Sequence, residues 1–251
     1  PLDTYPIRIT TDSVQPGTVF FIADSHAGIV RSVVLDGSTA HPVQTLEATM
    51  PPRIQKLNHK NFISTNPEPS FQSGLVKFRW LERKDERWQY LPVQDHPYYS
   101  EEQYSATFNA GYIDYIEAVA KRIDPKIYDP REKINRLLDV FIRQLQERIP
   151  VVLKGSEQCH QKGCPEGSPL WELYSTPGRD EYIYVIISHI REIIKKNNLI
   201  HENVLAKIAG VKLQIAPHLV VTAEQVFQNA VWMSSDPEDT IANRWGLDKC
   251  S

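Results

Sequence analysis

Cys159-His160-Gln161-Lys162-Gly163-Cys164 brings two cysteines and a histidine into one short stretch. Thiolate and imidazole are the ligands zinc prefers, and a short loop can close two of them on one ion. A structural zinc needs four ligands, so Cys159, His160 and Cys164 would have to recruit more from His189, His201, His218 or Cys250. The plainer alternatives are free thiols in an ordinary loop and a local disulfide.

Two carboxylate sets could hold a catalytic metal. Asp24-Ser25-His26 follows an apolar run, and residues two apart project from the same side of a strand end, which suits the metal site of a phosphoesterase. The glycine-flanked acid and histidine segments that would complete such a site are missing, and Asn58-His59 is a poor substitute. The second set is Glu82-Arg83-Lys84 with Glu68 upstream, an acidic-x-Lys pattern in which acids hold Mg²⁺ and the lysine orients water. Its plain alternative is a set of solvated charges on a hairpin.

That hairpin has another reading. Lys77, Arg79, Arg83 and Arg87 are interleaved with Phe78, Trp80, Trp88 and Tyr90, a mixture that can grip phosphates and stack bases. On one straight strand, however, Phe78 and Trp80 share a face opposite Lys77 and Arg79, as in an ordinary half-buried strand with its aromatic residues inward.

The elements that must position these groups fall into two kinds. Over residues 1–99, short runs rich in Val, Ile and Phe alternate with turn residues, which predicts strands around Ile7–Ile9, Val19–Ala23 and Val30–Leu35. Val76 to Val93 reads as a hairpin with Lys77-Phe78-Arg79-Trp80-Leu81 on one arm, Arg87-Trp88-Gln89-Tyr90-Leu91 on the other and Lys84-Asp85 near its tip. From Ser100 the apolar period is helical. Ser100 with Gln103 suggests a capping box, and Asp129-Pro130-Arg131-Glu132 opens an amphipathic helix that Pro150 is expected to stop. Its stripe is Ile134, Leu137, Leu138, Phe141, Ile142, Leu145 and Ile149, with Arg148 largely off it.

Further helices are expected over about 179–196, 202–209 and 222–233, the last capped by Thr222 and Gln225, with a strand over 211–215 between them. The strand after Gly210 argues against a helix-turn-helix, which needs a second helix there. The expectation is therefore an α+β protein. A β-rich module, 1–99, forms a small barrel or curled antiparallel sheet and packs on a mainly helical module, 100–251, with an irregular Cys/Gly/Pro loop at about 155–178.

Composition narrows the function classes. With 41% hydrophobic residues the chain can build a core, and a net charge of −3 gives no general attraction to polyanions. No apolar run approaches the roughly 20 residues of a membrane span. The expected location is cytoplasmic, and the expected role is a non-catalytic binding or assembly protein with a protein partner, possessing at most a zinc-stapled loop. A metal-dependent nuclease or phosphoesterase, or a nucleic-acid binder using the 77–90 hairpin, is the alternative.

Overall fold

The computed structural model describes residues 3–22, 26–47, 58–62, 67–71, 73–108, 111–126 and 129–248. They form two compact units, one up to residue 126 and one from residue 129. The change of unit therefore lies well beyond residue 99. Residues 100–126 belong with the strands because α1 (Tyr112–Ile123) puts Tyr115, Val119 and Ile123 into the same core as Tyr5, Ile7, Phe20, Val30, Val43 and Leu75.

Six strands make one antiparallel sheet in the first unit. They are β1 (Thr4–Pro6), β2 (Val19–Ile22), β3 (His26–Val33), β4 (Val43–Glu47), β5 (Asn58–Asn61) and β6 (Gly74–Phe78), in the spatial order β1-β6-β2-β3-β4-β5. β2 to β5 form a meander, and the chain then returns to insert β6 between β1 and β2. Register is set by the buried face. Gly28 stands opposite Phe20, whose ring occupies the space that any Cβ at Gly28 would need.

Gln103 joins the sheet to α1. Its fully buried amide donates to the carbonyls of Ile7 and Leu75, both at 2.8 Å, and its Oε1 accepts from Leu75 N at 2.8 Å and from the Tyr115 hydroxyl at 2.6 Å. The expected capping box is absent. Ser100 Oγ accepts from Glu102 N, while Gln103 turns inward because the sheet offers backbone groups that need a partner.

The second unit is helical with one hairpin. α2 (Pro130–Lys162) starts as the sequence predicts, with the Asp129 side chain accepting from Arg131 N and proline at the first position. It does not stop at Pro150. A proline inside a helix costs about 3 kcal/mol through its missing N–H and its steric clash, and burial of Val152, Gly155 and Cys159 on the continued face offsets this. The expected irregular loop at 155–178 is accordingly short. α3 (Pro169–Tyr174) occupies part of it, and α4 (Pro177–Lys196) begins before its end.

α5 (His201–Ala209) leads into the hairpin β9 (Lys212–Ala216) and β10 (Leu219–Thr222). α6 (Ala223–Asn229) then opens with the Thr222/Gln225 capping box, and α7 (Ile241–Arg244) precedes Trp245. Trp245 is fully buried beside two fully buried arginines, Arg148 and Arg244. Arg148 grips the Asp180 carboxylate with Nε at 2.6 Å and Nη2 at 3.0 Å, and its guanidinium lies over the Trp245 ring at 4.8 Å. Thr176 Oγ1 accepts from Nη2 of both arginines and donates to Asp180. Burial, then the neighbouring Arg148 charge, pushes the Arg244 guanidinium down to about 10.

Candidate protein-binding hairpin

Beyond Phe78 the chain leaves the large sheet. Among the described residues β7 (Leu81–Lys84) and β8 (Arg87–Tyr90) pair only with each other, joined by the two-residue turn Asp85-Glu86. The expected partner of the 87–91 arm was the stretch from Lys77. β6 is instead held between β1 and β2, so the arm pairs with 81–84. Both turn residues have positive φ, 49° and 62°, the twist a two-residue hairpin requires.

All eight strand residues are exposed. Partners opposite each other share a face, so Leu81 with Tyr90 and Arg83 with Trp88 form one side, and Glu82 with Gln89 and Lys84 with Arg87 form the other. The first side is apolar and cationic. Trp88 is 68% exposed and Leu81 55%, and the Arg79 guanidinium lies 4.7 Å over the Tyr90 ring. The inward aromatic packing of an ordinary strand is therefore not what this hairpin has.

Its root is firmly held. Arg79 N donates to Asp3 O, Arg79 Nε and Nη2 donate to Leu91 O, Leu91 N donates to Trp80 O, and the Tyr90 hydroxyl donates to Asp3 Oδ1. Trp80 meets the buried ring of His96 edge-on at 5.6 Å, and His96 stacks on Tyr5 at 4.1 Å. Burial pushes the His96 imidazole below its ordinary value, with the Leu91 carbonyl and Asp95 working the other way and Arg79 adding to the depression. Lys77 lies on β6, its ammonium 5.1 Å over Tyr98, and burial lowers its pKa. Of the eight residues singled out for base stacking and phosphate contact, Arg83, Trp88 and Tyr90 share the apolar side, Arg79 stacks on Tyr90 at its base, and Phe78 ends β6 exposed. Lys77 and Trp80 pack at the root, and Arg87 faces away.

The other candidate groups do not assemble. Cys159 and Cys164 form a disulfide with both residues buried, so neither offers a thiolate, and His160 is exposed beside them. The zinc expectation for Cys159, His160 and Cys164 gives way to the covalent bond that the five-residue separation allows. Cys250 and Asp24 lie outside the described residues. His26 opens β3 and His59 sits on β5, their side chains also outside the description.

Glu82 and Lys84 share the polar side of the hairpin and are exposed, as is Glu68 before a short 3-10 turn. Among the described residues no three His, Cys, Asp or Glu side chains are grouped to hold a metal. A groove of about 270 Å³ beside α2 is walled by Pro150, Val151, Lys154, Leu173 and Tyr174, a set without a carboxylate or an imidazole.

Arg148 and Gln103, each at the centre of its own unit, are buried where the sequence suggested a residue off the apolar stripe and a capping-box partner. Arg148 was legible, since it lies three residues after Leu145 and four before Val152, on the buried stripe. Comparison with known proteins finds no matching family, no matching curated protein and no matching solved structure.

Proposed function

We propose that this chain is a non-catalytic protein-binding module and that Leu81, Arg83, Trp88 and Tyr90 on the hairpin, with Arg79 at its base, are its contact surface. The observation that supports this most is the exposed Trp88–Arg83 pair on a hairpin whose root is fixed. Tryptophan, tyrosine and arginine dominate the energy of protein interfaces, and a surface already ordered loses little entropy on binding. A single nucleic-acid strand is a weaker fit, because Glu82, Asp85 and Glu86 interrupt the cations and the whole chain carries −3. Among the described residues no helix is long and apolar enough to cross a membrane.

The test is a random peptide display panned on the wild type and on an Arg83→Ala/Trp88→Ala variant, beside titration with single-stranded oligonucleotides at low salt. Enrichment of peptides by the wild type alone is the expected outcome. Equal enrichment by both proteins, or tight salt-sensitive oligonucleotide binding in place of peptide binding, refutes the reading. The location expected from sequence is tested separately. A cytoplasm keeps such cysteines reduced, so a Cys159–Cys164 bond found by alkylation and mass spectrometry in protein from its own cells would place the chain in an oxidising compartment.

A further inference from the structure

We infer that the outer edge of β8 pairs with β8 of a second copy of this chain, antiparallel about a two-fold axis at Gln89. The inference rests on the hairpin being the contact surface and says what one of its partners is. Among the described residues neither outer edge of the β7–β8 sheet is paired with another strand. Leu91 N donates to Trp80 O at 2.8 Å, which makes Trp80/Leu91 a hydrogen-bonded pair. Such pairs alternate along an antiparallel ladder. In the observed register Glu82/Gln89 and Lys84/Arg87 therefore bond inward, while Leu81, Arg83, Trp88 and Tyr90 direct their backbone groups outward.

The charges decide between the edges. Two-fold pairing of β7 with itself sets Glu82 on Glu82, Arg83 on Arg83, or Arg83 on Arg79, depending on the centre, and like charges directly opposite destabilise a sheet. On β8 a centre at Gln89 sets Trp88 opposite Tyr90 of the second copy, twice, with Arg87 opposite Leu91 and Gln89 opposite itself. The outward N–H and C=O groups of Trp88 and Tyr90 then meet in two hydrogen-bonded pairs, and no like charges face each other. A centre at Trp88 would draw in Glu86, which lies in the turn at a φ of 62°, and a centre at Tyr90 would oppose Trp88 to Pro92, which has no N–H.

Sedimentation velocity over a concentration series tests this, using the wild type and the exposed-site variants Gln89→Lys and Gln89→Glu. The expected result is a concentration-dependent wild-type dimer, about fivefold or more weaker dimerisation in each variant alone from the like charges at the axis, and recovery when the two variants are mixed. A wild type that stays monomeric, a dimer indifferent to both variants, or a mixture that fails to recover overturns the pairing. A monomer that still enriches peptides overturns this inference alone and leaves the binding-module reading standing.

Discussion

Replacing Arg148 with methionine tests the account of the second unit at its centre. The side chain is fully buried and makes a bidentate pair with Asp180, at 2.6 and 3.0 Å, while Nη2 also donates to the carbonyl of Ser234 at 3.1 Å. Removing one member of a buried ion pair costs about 3 to 5 kcal/mol, because the other charge remains without its partner. Asp180 keeps the Thr176 hydroxyl at 2.8 Å and its side chain is 14% exposed, which pulls the figure towards the lower end. The orphaned Ser234 carbonyl adds about 1 kcal/mol, and methionine returns part of that by filling the apolar space over Trp245.

The expected loss is about 3 kcal/mol, or roughly 12 °C in melting temperature if the second unit unfolds as one cooperative body. Urea unfolding followed by tryptophan fluorescence measures it. A cycle with Asp180→Asn separates the pair from the rest, and the double variant should recover about 1 kcal/mol or more of the summed single losses. A loss below about 1 kcal/mol in Arg148→Met, or strict additivity in the cycle, would refute the claim that the pair organises this unit.

Three further outcomes follow from the first unit. Gln103→Leu should cost about 3 kcal/mol in urea unfolding, since it strands the Leu75 N–H, the Ile7 carbonyl and the Tyr115 hydroxyl, and a loss within about 1 kcal/mol would contradict the bridging role. Glu86→Gly should stabilise the hairpin by about 1 kcal/mol, read as a higher urea midpoint, because a non-glycine residue there holds a φ of 62°; no gain would contradict the turn geometry. His96 has its folded pKa pushed below the unfolded value, so the stability it contributes is present in full above about pH 6.5 and is lost as pH falls through the folded pKa. His96→Phe, which keeps a ring between Tyr5 and Trp80, should therefore show a smaller drop in melting temperature than wild type between about pH 7.5 and about pH 5; equal drops would show that burial does not hold His96 neutral.

What the sequence showed and what it hid have one physical cause. Local signals read correctly: the Asp129-Pro130 start, the Thr222/Gln225 box and the strand after Gly210 depend on neighbours in the chain. Pro150 misled because its local cost is offset by burial of residues as far on as Cys159, and Gln103 misled because its partners lie at Ile7 and Leu75. The hairpin was legible as a hairpin, but its register was not. Whether 87–91 pairs with 77–81 or with 81–84 depends on β1 and β2 claiming β6, a contest between segments far apart in sequence. The same claim lifts Trp88 and Arg83 off the sheet and gives them an exposed face.

An exposed two-stranded hairpin is marginally stable by itself, and this one gains little from its own side chains while Leu81 and Trp88 face water. Its order comes from the root, where Asp3, Arg79, Trp80, Leu91 and His96 tie it down. A loop selected only for stability would place Asn-Gly at the tip, yet Asp85 and Glu86 occupy the two positive-φ positions. The sequence thus holds the exposed side chains of Leu81 and Trp88 and a strained turn in a fixed place. Covering that face is what would recover the stabilisation lost to exposure, and a rigid root is what would let a partner cover it without first ordering the hairpin.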